Sequence, residues 1–287
     1  MTRPTTESTL FLLVIMKDIK VLLLDIDGTI AGKSNNVRTK VREAIAKIKA
    51  KGIKVGLATG RMYCSALKFN EQIGADLPII AYNGAWMQHS NNGEILLHQP
   101  LKGDIATQLL TYLRQEKKQT DLELHIYFDD ELYVEEFTTR TEFYVERSGI
   151  GVNIVDDFTP LIGNNPTKLL ALSDDPQLIG RLLTDLRQRY SEDDLYLTQS
   201  SPVYLEATHA GVNKGATVKY LVEKILGLSA ENVMAMGDNF NDYAMLEYAG
   251  LSVAMGCAPD AVKEVADGVT STVEEDGVAE AIDRFLL

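Results

Sequence analysis

Two cysteines in 287 residues are too few for a disulfide framework, and Cys64 and Cys257 have no metal-ligand spacing. Their scarcity fits a reducing cytosol, and both are expected to be packing residues. Histidine is scarce as well. His89, His98, His125 and His209 fall into no HExxH or comparable ligand pattern, so surface or core roles are expected of them. Basic residues are outnumbered, 28 Lys and Arg against 41 Asp and Glu, for a formal charge of -13. That balance repels nucleic acid and anionic membrane surfaces and excludes both as expected partners. A small phosphorylated molecule stays within reach, because a cation and a few basic groups can reverse the potential inside one pocket. The pattern GxxxxGK[ST] is absent, which excludes a P-loop nucleotide site. The apolar run from Leu10 to Met16 is too short to span a bilayer. Only Arg3 is basic before it and no small-residue cleavage site follows, so no signal peptide is expected and the protein is placed in the cytoplasm. Residues 1–16 are read as an N-terminal extension, with Met16 as an alternative start. Nothing in the sequence addresses oligomeric state.

With 45% hydrophobic residues the chain can bury a sizeable core. Ile19 to Leu24 is almost continuously apolar, as a parallel strand buried on both faces requires, and Asp25-Ile26-Asp27-Gly28-Thr29 breaks the run. Val37, Val41, Ala44, Ile45 and Ile48 recur at helical spacing before Gly52. A second strand at Ile53 to Ala58 ends in Thr59-Gly60-Arg61, a helix with Leu67 and Ile73 inward follows, and a third strand is expected at Pro78 to Ala81. Strand and helix in alternation imply a doubly wound, Rossmann-like parallel sheet of the α/β class.

After Asn83-Gly84 the texture becomes mixed. Strands are expected at 94–97, 122–128, 131–135, 152–155, 168–172 and 203–206, with Asp129-Asp130 as a hairpin turn. Helices are expected near 105–113, 138–147 and 177–190. From Asn213 the first rhythm returns, with a helix to Leu226, strands at 233–236 and 251–254, and helices between and after them. The predicted organisation is a core split between 17–83 and 209–287, with an α+β cap domain inserted at 84–208.

Side chains alternate along a strand, so Asp25 and Asp27 project to one side at the carboxyl edge of the sheet, where open α/β sheets bind ligands. Gly28 and Thr29 supply the sharp turn, and Gly28 lets backbone amides approach an anion. Far along the chain, Gly237-Asp238-Asn239-Phe240-Asn241-Asp242 follows another apolar strand, which delivers Asp238 to the same edge. Asp242 alone reads as a helix cap. Four carboxylates at one edge would repel one another without a cation, and an all-oxygen set suits Mg2+.

Together, Asp25-Ile26-Asp27-Gly28-Thr29, Thr59-Gly60-Arg61, Lys214 and Gly237-Asp238-Asn239-Phe240-Asn241-Asp242 resemble the four motifs of the haloacid dehalogenase superfamily. The position of the insertion, and Asn83-Gly84-Ala85 at its entry, resemble the Cof-type branch, subfamily IIB, with its α/β cap. The resemblance implies a phosphatase for a small phosphorylated metabolite, a sugar phosphate or cofactor phosphate. It assigns Asp25 as nucleophile and Asp27 as general acid and then general base, with Thr59 and Lys214 completing the phosphate clamp. Magnesium is then expected on Asp25, the backbone carbonyl of Asp27 and Asp238, with Asp242 acting directly or through another ligand. Gly28, Thr29, Gly60, Asn83 and Asn241 are expected to bind substrate, Asn241 by orienting the phosphate or Lys214. Arg61 is expected only to anchor its loop by surface pairing. Trp86, Tyr127 and Tyr133 are candidate cap contacts, equally well explained as core or sheet surface.

Two rivals stay open. A sugar phosphomutase would need a paired basic cluster in the cap for a second phosphate, and none is evident in the sequence. A non-catalytic metabolite-binding protein on the same fold would have no use for both Asp25 and Asp27.

Overall fold

The computed structural model describes residues 18–287, and the extension expected at 1–16 lies outside the described residues. β1 (Val21–Leu24) is buried at all four positions, the condition of a strand covered on both faces. α1 (Thr39–Ala50) follows, and its buried Val41, Ala44, Ile45 and Ile48 form one apolar stripe. β2 (Lys54–Leu57) comes next, then α2 (Tyr63–Ile73), which ends on Gly74 in the left-handed conformation.

The expected third strand forms and bridges the parallel sheet in parallel sense, but only briefly. β3 (Ile79–Ala81) touches the parallel sheet through a single bridge, Ala58 to Ile80. Its ladder runs instead antiparallel to β4 (Trp86–Gln88), which pairs with β5 (Ile95–His98). Tyr82, Asn83 and Gly84 all have positive φ (52°, 56° and 106°), so the chain doubles back within three residues. β4 escaped the sequence reading because Trp86 and Met87 are both buried, which erases the two-residue alternation.

Beyond α3 (Gly103–Lys117) the chain builds a second sheet. It comprises β6 (Glu123–Phe128), β7 (Glu131–Val134), α4 (Thr139–Ser148), β8 (Asn153–Ile154), the short α5 (Thr159–Ile162), β9 (Lys168–Leu172), α6 (Pro176–Arg189), β10 (Leu195–Ser201) and β11 (Tyr204–His209). The strand order is β10-β11-β9-β6-β7-β8. β10 was not expected; its polar Gln199-Ser200-Ser201 end and an irregular register after Thr198 blur the pattern. Period-two alternation sorts this sheet into two faces. Leu124, Ile126, Leu169, Ala171, Leu205 and Ala207 pack under α3 and α6. Tyr127, Lys168, Tyr204 and Glu206 fall on the other face.

The first rhythm then resumes with α7 (Lys214–Tyr220), which continues as a π-turn at Leu221–Ile225, then β12 (Val233–Gly237), α8 (Tyr243–Tyr248), β13 (Leu251–Ala254), α9 (Asp260–Val265), β14 (Gly268–Val269) and α10 (Gly277–Phe285). The first sheet has the order β14-β13-β12-β1-β2 with all pairs parallel. β1 therefore lies beside both β2 and β12, and the winding reverses about it. The protein is an α/β fold with a doubly wound parallel sheet and an inserted α+β unit. Among the described residues no helix is long and apolar enough to cross a membrane.

Candidate active site

Where the winding of an open parallel sheet reverses, the loops at the strand carboxyl ends separate and leave a crevice. Asp25 stands there, directly after β1, its backbone N–H donating to the Met236 carbonyl on β12 at 3.0 Å. The residue is 4% exposed, and its carboxylate accepts from Lys214 Nζ at 2.5 Å. Lys214, fully buried at the first residue of α7, also donates to Asp242 Oδ1 at 2.6 Å. The other Asp242 oxygen accepts from the backbone N–H groups of Asp238 and Asn239 at 2.9 and 3.1 Å. Asp242 thus does more than cap a helix, because it ties the Asp238 loop to Lys214.

Asp25, Asp238 and Asp242 bring carboxylate oxygens within 4.8 Å of one another. Burial raises the Asp25 carboxyl above the usual carboxylate range against the opposing Lys214, with Asp242 and Asp27 adding to the rise. Burial also raises Asp238, reinforced by Asp25 and Asp242. One ammonium beside three crowded carboxylates leaves negative charge that only protons or a further cation can offset. The donors are all oxygen, the set preferred by a hard divalent ion.

Asp27 is held apart from that cluster. Arg61 Nε and Nη2 each donate to one of its oxygens at 2.7 Å, a two-pronged fork, and Arg147 Nη2 stands at 3.7 Å. Burial alone would raise Asp27, but the guanidinium holds it below the usual carboxylate range. This corrects the expectation of surface pairing for Arg61. Its side chain is only 9% exposed and also donates to Asn35 Oδ1 at 2.8 Å. Such reach depends on where α2 begins, which the motif spacing does not reveal.

Directly after Asp27, Gly28 adopts φ +82°, and a Cβ there would lie 2.2 Å from Asp238 Oδ2. Gly28→Ala is therefore expected to destabilise the protein by about 1–3 kcal/mol from backbone strain alone. An unchanged urea midpoint would show that the turn relaxes freely.

Of the remaining expected site residues, Thr59, Gly60 and Asn241 line a cavity of about 470 Å3 together with Asp25, Asp27, Gly28 and Asp238. Thr59 Oγ1 accepts from the Arg61 N–H at 3.1 Å. Thr29 and Asn83 are buried behind the wall. The Thr29 hydroxyl has no hydrogen-bond partner among the described residues, and Asn83 donates to Glu206 while accepting from Asn241. The cavity's opposite wall comes from the second sheet and α4, including Phe143, Tyr144, Arg147, Lys168, Tyr204 and Glu206.

These opposite-wall residues were missed in the sequence. The available signal was a charge set into an apolar strand, Lys168 before Leu169-Leu170-Ala171-Leu172 and Glu206 between Leu205 and Ala207. The aromatic candidates lie elsewhere: Tyr127 is fully buried and donates to the Tyr144 hydroxyl at 2.8 Å, Trp86 donates to Gln88, and Tyr133 to Glu131. Nor are the cysteines packing residues, since both are exposed. Cys64 lies in the first turn of α2, where its N–H and that of Tyr63 donate to Asp130 at 2.8 and 2.9 Å.

The model of the haloacid dehalogenase-like hydrolases matches residues 22–282. A 5-amino-6-(5-phospho-D-ribitylamino)uracil phosphatase of Bacillus subtilis is 34% identical over 270 residues, 94% of this chain and 97% of its own. A pyridoxal phosphate phosphatase of Escherichia coli is 29% identical, over 93% of this chain and 98% of its own. A haloacid dehalogenase-like hydrolase from Bacteroides thetaiotaomicron superimposes with a TM-score of 0.81 at 27% identity, covering 93% and 99% of the two chains. Sequence match, superposition and the carboxylate-lined crevice at the winding reversal agree, and this chain belongs to the haloacid dehalogenase-like hydrolases, in their Cof-type phosphatase branch.

Proposed function

We propose that this protein hydrolyses a small phosphorylated metabolite, a sugar phosphate or cofactor phosphate, through a phosphoryl group carried on Asp25. The observation that carries the reading is the pairing of a buried carboxylate, Asp25, with the fully buried Lys214 at 2.5 Å, while Asp27 faces the same cavity two residues on. The named activities of the uracil-derivative and pyridoxal phosphate phosphatases support the substrate class.

Asp25 attacks phosphorus in line. The ester bond to phosphorus breaks, and the electron pair leaves on the alcohol oxygen, which takes a proton from Asp27. Asp27 then accepts a proton from water, whose oxygen attacks the acyl phosphate and returns Asp25 to its starting state. Because the Arg61 fork favours the ionised form, the arriving ester must loosen it before Asp27 carries a proton. Thr59, Gly60, Asn241 and Lys214 hold the phosphate, with Gly28 and Thr29 shaping the turn beneath it. Asp25, Asp238, Asp242 and the Asp27 carbonyl would hold Mg2+. When bound, that ion neutralises charge on the phosphoryl oxygens.

We read 84–208 as the cap that covers the cavity, 17–83 with 209–287 as the core, and the cytoplasm as the site of action. A phosphomutase would need cations in the cap for a second phosphate. Of those in the cavity wall, Lys168 is paired with Glu206 at 3.4 Å and Arg147 faces Asp27, which favours the hydrolase.

Asp27→Asn tests the assignment. Turnover of alkyl phosphates is expected to fall about a hundredfold or more. An ester with an acidic leaving group should instead give a burst of one product per enzyme and then stall, because the acyl phosphate forms without protonation and waits for a base. Equal slowing of both ester classes with no burst would remove Asp27 from proton transfer.

A further inference from the structure

Lys168 and Glu206 form an ion pair with both side chains at least 95% buried, and no step above uses either residue. Desolvating two charges is costly, and apolar side chains often do as well, so their bonding partners matter. Lys168 Nζ donates to the Gly60 carbonyl at 3.2 Å and lies 4.5 Å from the Tyr127 ring centre. Glu206 Oε2 accepts from Asn83 Nδ2 at 3.0 Å, and Asn83 Oδ1 accepts from Asn241 Nδ2 at 3.0 Å. Ser200 Oγ donates to the other Glu206 oxygen.

This series has a direction. A carboxylate only accepts, so Asn83 must turn its NH2 to Glu206 and its carbonyl to Asn241, and Asn241 must answer with its own NH2. The second N–H on that nitrogen is the end left for an anion in the cavity that Asn241 shares with Asp25. Reversing Asn83 would set its carbonyl against the Glu206 carboxylate and its NH2 against that of Asn241, and an Asn241 reversed to match would present a carbonyl oxygen to the phosphate. We propose that Glu206, across from the nucleophile, is a positioning residue: acting through Asn83, it fixes Asn241 as a hydrogen-bond donor to the phosphate. This rests on the reading of the cavity as a phosphatase site.

The probe is inorganic phosphate as a competitive inhibitor, in the full-length protein with magnesium. Glu206→Gln keeps the shape but removes the charge, leaving one neutral carbonyl shared between Lys168 and Asn83, so the direction of both amides is no longer enforced by a carboxylate. Loss of a donor to a charged group is expected to raise the phosphate Ki about tenfold or more. Glu206→Asp, which stays an acceptor, should recover most of that loss. Asn83→Ala removes the middle of the series and should weaken phosphate similarly, which keeps the test available if Glu206→Gln does not fold. In an Asn241→Ala background, Glu206→Gln should add nothing. A phosphate Ki within twofold of the unsubstituted protein in either Glu206→Gln or Asn83→Ala overturns the proposal. So does a KM that rises only for bulky esters while the phosphate Ki holds, since Glu206 would then touch the leaving group. An unsubstituted protein that neither binds phosphate nor hydrolyses any ester removes the phosphatase reading itself, and this inference with it.

Discussion

Asp25→Asn is expected to reduce turnover of every phosphate ester by at least about a thousandfold, whatever the leaving group. The amide cannot form the acyl phosphate, and no neighbouring carboxylate stands ready to replace it. Asp242 is fully buried and bonded to Lys214 and two backbone N–H groups, Asp27 is engaged by the Arg61 fork, and Asp238, raised by burial, is the carboxylate proposed to hold the metal. The substitution also trades one negative charge at Lys214 for a neutral oxygen, so the fold should persist. Rapid quenching of the unsubstituted enzyme and peptide mass mapping should locate a labile phosphoryl group on Asp25. Steady turnover by Asp25→Asn, or a phosphoryl group on serine or histidine, would overturn the mechanism.

Removal of the divalent ion should have an effect of the same order. Turnover is expected to vanish in excess chelator and return with Mg2+, because the carboxylate cluster otherwise faces the phosphate with uncompensated charge. Proton linkage gives a second signature. Burial and mutual repulsion raise Asp25 and Asp238 in the folded, metal-free protein, so the native state holds protons that the unfolded chain has released. Stability of the metal-free form should therefore fall as pH rises from about 4 through the raised values. Bound magnesium displaces those protons, so affinity should increase with pH, and titration in weak buffer should release acid. Turnover undiminished in chelator would remove the metal from the site, and magnesium uptake without proton release would show that the carboxylates are already ionised.

Parts of this were legible in the residues because they depend on local periodicity. The unbroken run Val21–Leu24 announces a strand buried on both sides, and the two-residue spacing of Asp25 and Asp27 puts two carboxylates on one side of its extension. The doubly wound sheet follows from the same alternation of strand and helix. What stayed hidden depends on long-range contact. Arg61 reads as a loop residue until the turn ahead of α2 brings it to Asp27. The antiparallel return from β3 into β4 is set by three consecutive residues at positive φ, including Tyr82, a side chain that gives no warning of such a backbone. Lys168 and Glu206 looked like strand residues, yet their charge within apolar neighbours was the mark of a face turned toward the cavity.

β1 and β12 touch along their whole length, although the ribosome makes them far apart in time. Asp25 and its counter-ion Lys214 are separated by 189 residues, about 10–40 s of synthesis at ordinary rates. Through that interval the nascent chain carries Asp25, the proposed nucleophile, with neither the lysine nor Asp238 and Asp242 to complete the pocket. Catalytic competence thus arrives late, as a property of the finished chain, and a prematurely released fragment ending before α7 would be inert toward the cell's phosphate esters.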